Sequence, residues 1–200
     1  MTVATWFLAS YLLGAIPTSY LVARLAKGVD LREIGSKNLG ATNLYRSLGW
    51  AYAIPVGLFD LAKGVVPVLV FGPWAGGPSW LPLALGFTAV IGHVYSVFVG
   101  FRGGKGVATA AGVMLGLAPW ATAVSLVTWI IAVRVSGYVS LGSVLAAVVL
   151  PIGAYLLHPS LRPTVWVFAL LGLFIIGMHR ANIARLLAGT ENRFGKRGIS

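Results

Sequence analysis

Residues 105–134 read KGVATAAGVMLGLAPWATAVSLVTWIIAVR, and how they are divided decides the architecture. As one helix the stretch is longer than a bilayer needs, because about 20 apolar residues already span. Pro119 stands in its middle, behind Gly116. A proline inside a helix removes a hydrogen bond and collides with the preceding turn, at a cost of about 3 kcal/mol. The stretch is therefore divided into two short helices, 106–117 and 119–134, forming either two spans or a re-entrant hairpin. The cations support the division, since cytoplasmic loops collect Lys and Arg. With the break, loops 24–49, 100–105 and 134–137 share a face with the C-terminus. Every cation except Lys63 and Arg162 then falls on that face. Without the break, the cations of the C-terminal tail lie opposite those of the first loop.

Composition sets the class. Hydrophobic residues make up 58% of the chain and charged residues 10%, where a soluble domain carries about 25% charged. Mean hydropathy is +0.89. The reading is an all-α integral membrane protein, a single membrane-embedded domain over residues 1–200. The bundle has about seven transmembrane helices, two of them short, with the N-terminus outside and the C-terminus cytoplasmic. There is no cysteine, so disulfides and thiolate metal sites are excluded. The three histidines and four acids have no metal-ligand spacing, so no metal is expected. The net charge of +11 fits a basic membrane face or anionic substrates rather than nucleic acid.

In chain order, residues 3–26 span, with a kink at Gly14 and Pro17. The first cation is Arg24, at the far end, so the run has the wrong polarity for a cleaved signal peptide and reads as a retained helix. Residues 27–49 form an ordered polar loop with a short surface helix at 43–48. Residues 51–72 span, with Asp60 and Lys63 on one face at i,i+3. That pair is either functional, as intramembrane ions often are, or a structural pair that neutralises itself. Residues 73–79 turn, and 80–99 span with His93 near the end. Residues 138–157 span next. Residues 163–178 span last and run on as a helix to about Ala188. Ala108, Gly112 and Gly116 make a small-residue ridge suited to close helix packing.

Three segments carry chemistry. The first is Gly35-Ser36-Lys37-Asn38-Leu39-Gly40-Ala41-Thr42-Asn43-Leu44-Tyr45-Arg46. Its hydroxyl and amide donors suit a polyol or phosphate, and Arg46 suits a bidentate phosphate contact. Composition does not separate this from a capped loop that binds lipid. The second is Gly100-Phe101-Arg102-Gly103-Gly104-Lys105-Gly106-Val107-Ala108-Thr109, with His93 at the end of the preceding span. Successive backbone N–H groups, Lys105 and a helix start at Val107 together favour an anion. The spacing is not a nucleotide-binding P-loop, because Val99 and Gly106 stand where glycine and Ser or Thr are required. The third places His179, Asn182 and Arg185 on one face of the last helix. Taken alone it is better described as a basic helix lying on anionic lipid. Ser140 and Ser143 open the preceding helix, a weak signal, and His158 reads as surface.

Taken together these blocks resemble the bacterial acyl-phosphate–glycerol-3-phosphate acyltransferases, the PlsY-type membrane enzymes, over nearly the full length. The matching residues are Gly35-Ser36-x-Asn38-x-Gly40-Ala41-Thr42-Asn43-x-x-Arg46, Asp60-x-x-Lys63-Gly64, and Gly92-His93. They continue with Phe98-x-Gly100-Phe101-x-Gly103-Gly104-Lys105-Gly106-Val107-Ala108-Thr109 and Ser140-Leu141-x-Ser143. The last block is His179-Arg180-x-Asn182-Ile183-x-Arg185-Leu186 with Gly189 and Glu191. Three positions depart from the family pattern. Lys37 stands for the usual glycine, Ser96 for a proline, and Met178 for a cation before the histidine.

The resemblance implies a seven-helix fold in the bacterial inner membrane with the active site facing the cytoplasm. It implies acyl transfer from acyl phosphate to the 1-hydroxyl of sn-glycerol 3-phosphate. The products are lysophosphatidic acid and phosphate, the first acylation step of phospholipid synthesis. No cofactor is implied, and the oligomeric state is left open, a monomer among the options. Carried onto this chain, Lys105, Arg46, His179, Asn182 and Ser36 are the expected catalytic residues. Asn38, Gly40, Thr42, Asn43, His93, Gly103, Gly104, Gly106, Ser143, Arg180, Arg185 and Glu191 are the expected substrate contacts. In this reading Lys105 and the N–H groups of Gly103, Gly104 and Gly106 hold the acyl phosphate. Ser36, Asn38, Thr42, Asn43 and Arg46 position glycerol 3-phosphate, and His179 and Asn182 close the site. The proton goes to substrate phosphate, or else to His93 or His179. A transporter of a phosphorylated solute is the alternative, though such proteins tend to show internal repeats and none is visible here.

Overall fold

The computed structural model describes residues 2–194. They are helical throughout apart from turns, and the chain divides into two compact units, one ending at Leu117 and the other beginning at Ala118.

The first unit opens with α1, Val3–Ala15, and α2, Thr18–Lys27. Pro17 has no N–H to give and pushes Ile16 out of the helical region, to φ −54° and ψ 114°. The two helices are bent by 41° as a result. Gly28, at φ 67°, ends α2 by returning its N–H to the Arg24 carbonyl. A polar loop leads to α3, Ala41–Leu48, which starts two residues earlier than expected. Next comes α4, Trp50–Val66. Pro67 opens a wider turn over Pro67–Phe71, and the helix then resumes as α5, Gly72–Ala75. The expected turn at 73–79 therefore begins later, at Gly76, because the missing N–H of Pro67 is absorbed by widening rather than breaking the helix. The unit closes with α6, Leu81–Val94, a tight turn at Val97–Val99, and α7, Val107–Leu117.

Small residues let these helices touch backbone to backbone. On α1 and α6, a Cβ at Gly14 would collide with the Ala89 carbonyl, and one at Gly92 with the Tyr11 carbonyl. On α4 and α7, a Cβ at Gly64 would strike the Thr109 carbonyl, and one at Gly112 the Leu61 carbonyl. Lipid tails are as apolar as leucine, so such close packing is a main source of helix association in a bilayer. Of the Ala108, Gly112 and Gly116 ridge, Gly112 packs against Leu61 of α4 and Gly116 against Val68 in the wider turn that follows it.

The second unit has α8, Pro119–Ser136, and α9, Val139–Leu157, joined through Gly137 at φ 79°. A turn at Pro159–Thr164 leads to α10, Val165–Met178, and then to α11, Arg180–Leu187. Pro119 sits in the first turn of α8, where its missing N–H costs nothing. The division of residues 105–134 is therefore found as expected. The last helix does not run on: it stops at Met178 and restarts at Arg180, with His179 at φ −97° and ψ 6°.

Among the described residues five helical stretches are long and apolar enough to cross a bilayer. They are Trp50–Ala75, Leu81–Val99, Pro119–Ser136, Val139–Leu157 and Pro159–Met178. The α1–α2 pair makes a sixth if counted as one span, and Val107–Leu117 is apolar but shorter. Leu58, Leu126, Ile131, Leu156 and Leu173 are exposed, as side chains that face lipid would be.

Candidate functional site

The first polar loop is built around one amide. Asn43, in the first turn of α3, is buried. Its Oδ1 accepts the Ser36 N–H at 2.9 Å, and its Nδ2 donates to the carbonyls of Leu31 and Ile34, each at 3.2 Å. Both of its donor hydrogens are thus committed, so Asn43 holds the loop rather than offering donors to a substrate as expected. Gly35 is required beside it, since a Cβ there would overlap Asn43 Oδ1. Leu31, Leu39 and Leu44 join Ala23, Val56 and Val99 in a buried cluster, which pins the loop onto α2, α4 and the turn after α6. In the sequence Leu39 is marked only as a leucine between two polar, glycine-containing runs. Ser36, Asn38, Thr42 and Arg46 are half-buried around this frame, and Gly40 precedes α3 in extended backbone with Asn38 Nδ2 close over it. Outside it, Asp30 and Arg32 pair at 2.6 Å. The Arg32 side-chain and backbone hydrogen bonds hold the Asp30 carboxyl at about 2.

The second loop leaves α6 at His93. Gly100 and Phe101 both take left-handed backbone, at φ 65° and 61°. The chain then doubles back: Phe101 N–H donates to the Ser96 carbonyl at 2.7 Å, Gly103 N–H to Val94 at 2.9 Å and Gly104 N–H to His93 at 3.1 Å. This corrects one expectation. The N–H groups of Gly103 and Gly104 are turned onto the end of α6 and do not form an anion cradle. These residues are glycine for contact. A Cβ at Gly103 would strike the His93 carbonyl, and one at Gly104 would overlap His93 Nε2 and lie 3.0 Å from the Leu39 carbonyl oxygen. The same contact brings the first and second loops together. Lys105 follows half-buried, Gly106 turns at φ 79°, and α7 begins at Val107. The cation therefore stands two residues ahead of a helix N-terminus, where anions are favoured.

Beneath this loop α4 carries Asp60 and Lys63, both buried and paired at 2.7 Å. Lys63 Nζ also donates to the Ile16 carbonyl at 2.7 Å and to Gly14 at 3.4 Å, both beside the α1–α2 bend. Ser96 Oγ donates to the neighbouring Ala15 carbonyl.

In the second unit one carboxylate organises the residues expected on the last helix. Glu191 Oε1 accepts from Asn182 Nδ2 at 2.7 Å and from Ser140 Oγ at 3.0 Å, and Oε2 pairs with Arg185 Nε at 2.7 Å. Burial works to raise the Glu191 carboxyl. The three donors and the Arg185 charge outweigh it and hold the group below its ordinary value. His179 is buried, with Nδ1 2.8 Å from the Ile175 carbonyl. A carbonyl can only accept, so Nδ1 carries the proton and in the neutral ring Nε2 does not. His179 stands at the break between α10 and α11, while Asn182 and Arg185 lie on α11. Ser143 Oγ donates to the Val139 carbonyl at 2.9 Å within α9 and accepts from Trp129 Nε1 at 3.4 Å. The donor expected for substrate is thus spent inside the helix. Arg180 is exposed.

The glycerol-3-phosphate acyltransferase family profile matches residues 4–189. Among curated relatives, the glycerol-3-phosphate acyltransferase of Geobacter sulfurreducens is 46% identical, covering 92% of this chain and 94% of its own. That of Chlorobaculum parvum is 42% identical, covering 94% and 95%. This chain belongs to the glycerol-3-phosphate acyltransferase family. Two crystal structures of PlsY, an integral membrane glycerol 3-phosphate acyltransferase, share the fold. The glycerol 3-phosphate form has a TM-score of 0.89 at 39% identity, covering 96% of each chain. The lysophosphatidic acid form has a TM-score of 0.86 at 36% identity, covering 96% of this chain and 95% of that one. The family match takes in both glycine-rich loops and the His179–Arg185 segment. Glu191, which binds that segment together, lies two residues beyond it. As an acyltransferase of this family the chain is a multi-pass membrane enzyme.

Proposed function

We propose that this enzyme transfers a fatty acyl group from acyl phosphate to the 1-hydroxyl of sn-glycerol 3-phosphate, releasing lysophosphatidic acid and phosphate. Family membership supports the acceptor. The donor reading rests on one observation above the others: Lys105 and the start of α7 follow directly on the turn that Gly103 and Gly104 fix. Both substrates are anionic, and a phosphate monoester carries between about 1.5 and 2 negative charges near neutral pH. Four acids against fifteen bases leave little to repel them.

In this reading Lys105 holds the donor phosphate and steadies charge on the carbonyl and the leaving group. Ser36, Asn38, Thr42 and Arg46 position glycerol 3-phosphate on the frame that Asn43 holds. The family resemblance implies that His179 and Asn182 close the site and that Arg180 and Arg185 contact substrate. The acceptor oxygen attacks the acyl carbon, the carbon–oxygen bond to phosphate breaks, and the proton leaves with a phosphate oxygen. Phosphate is a good leaving group, so positioning carries much of the barrier, to about 7–11 kcal/mol at most. Seven spans, an outside N-terminus and a cytoplasmic site in the bacterial inner membrane complete the reading. The C-terminal tail cations that entered the topology argument include residues outside those described.

The test is direct. Purified protein in lipid receives labelled glycerol 3-phosphate with palmitoyl phosphate, palmitoyl-coenzyme A or palmitoyl-carrier protein. Lysophosphatidic acid from palmitoyl phosphate alone is the expected result. Product only from a thioester overturns the donor. Uptake of labelled glycerol 3-phosphate into vesicles without acylation overturns the reaction in favour of transport.

A further inference from the structure

The acyl-transfer chemistry leaves the buried ion pair of α4 without a task. Burying two charges costs several kcal/mol per ion unless geometry and extra hydrogen bonds repay it. A buried ammonium carries three N–H donors, each of which needs an acceptor. Here Lys63 has three. Its ammonium meets Asp60 at 2.7 Å, the Ile16 carbonyl at 2.7 Å and the Gly14 carbonyl at 3.4 Å. Asp60 in turn looks beyond Lys63, with Oδ1 3.9 Å from His93 Nδ1. His93 is buried, and its opposite ring edge, Nε2, lies against Gly104 so closely that a Cβ there would overlap it. The His93 carbonyl also receives the Gly104 N–H.

These contacts form one unbroken path. It begins at the α1–α2 bend, passes through Lys63 and Asp60 on α4, reaches His93 at the end of α6, and stops at the residue before Lys105. We infer that Asp60 and Lys63 are positioning residues, which through the His93 ring fix the Gly103–Gly104 turn and so set where Lys105 stands. At 3.9 Å the Asp60–His93 contact is too long for a hydrogen bond. It acts by charge, orienting the imidazole so that Nδ1 faces the carboxylate and Nε2 faces the loop. The Lys63 ammonium holds Asp60 in place and ties its position to the bend. Gly104 is glycine because the ring needs that space.

This inference rests on the acyl-phosphate reading of the Lys105 loop, and the experiment separates the two. Wild type, Asp60→Asn and Asp60→Glu are purified and their thermal midpoints compared. Steady-state kinetics are run for each substrate, together with equilibrium binding of dodecylphosphonate, a stable stand-in for the donor. Misplacing a group by about 1 Å can cost 10²-fold, so folded Asp60→Asn should lose at least about tenfold in kcat/KM for acyl phosphate and in phosphonate affinity. Its KM for glycerol 3-phosphate should stay within about twofold while phosphonate affinity falls; loss of folded enzyme alone would lower apparent kcat and leave that affinity unchanged. Asp60→Glu, which keeps the charge, should recover most of the loss. If Asp60→Asn does not fold, the neutral double variant Asp60→Asn/Lys63→Met replaces it, and the same selective loss is expected. A folded variant with unchanged donor kinetics and phosphonate binding overturns the positioning role. So does a loss equal for both substrates. If wild type uses only a thioester, the donor reading falls, and the same variants are read with that donor. Unchanged kcat/KM there overturns the positioning role as well.

Discussion

The proposed chemistry turns on Lys105. Removing a donor that stabilises developing charge typically costs 10²–10³ in turnover, so Lys105→Ala should lose about a hundredfold or more in kcat/KM for acyl phosphate. Lys105→Ala with near-normal turnover would remove the phosphate-holding role. Glu191 gives a different test, because its carboxyl is depressed by the donors of Asn182, Arg185 and Ser140. A depressed carboxyl contributes stability that is complete above the ordinary glutamate value and fades as pH falls through the lowered one. The thermal midpoint of wild type should therefore drop as pH is lowered from about 5 towards 3, while that of Glu191→Gln, lower at neutral pH, should change less over that range. Lys37 offers a gain. It stands at φ 57°, in left-handed backbone, where the family resemblance expects glycine. Lys37→Gly should leave the fold intact and change stability by no more than about 1 kcal/mol, relief of strain being offset by a freer unfolded chain.

At the scale of elements, glycine contacts set how closely helices approach. Gly112→Leu would push α7 off the Leu61 carbonyl of α4, and overpacking of this kind costs about 1–3 kcal/mol or more. Gly177→Ala, on α10, would meet nothing within 4 Å and should be neutral or stabilising. Thermal midpoints of the two variants in one detergent check the contrast. The element pattern was largely legible because its punctuation is local: Pro17 bends the first pair, Pro119 opens α8, and Gly28 ends α2. The break at His179 carried no such mark, since neither proline nor glycine stands there and the preceding Gly177 lies within α10. Site residues were legible as types and not as roles. That Asn43 spends its amide on Leu31, Ile34 and Ser36, or that Gly103 and Gly104 turn their N–H groups onto α6, depends on which way the backbone faces. Composition does not encode that direction. The Lys63 contact to Ile16 joins residues 47 positions apart, beyond any local pattern.

For the whole molecule, orientation is the open quantity, and the absence of native cysteine makes it easy to read. Single substitutions Thr2→Cys and Lys37→Cys should respond oppositely to an impermeant maleimide. Thr2→Cys should label in intact cells, and Lys37→Cys only after the membrane is opened; the reverse pattern would invert the topology. The eleven residues of α7 carry a last consequence. Eleven residues rise about 16 Å, roughly half of a 30 Å hydrocarbon core. The charged loop at one end and Leu117 at the other cannot both reach opposite surfaces of a bilayer of ordinary thickness. Either lipid thins locally to meet the helix, or one end remains sunk within the hydrocarbon depth. Hydrophobic mismatch of this kind costs fractions of a kcal/mol per ångström, so turnover in reconstituted vesicles should decline as lipid chains lengthen. An enzyme that begins phospholipid synthesis would then be slowed by the thickness of the membrane it supplies.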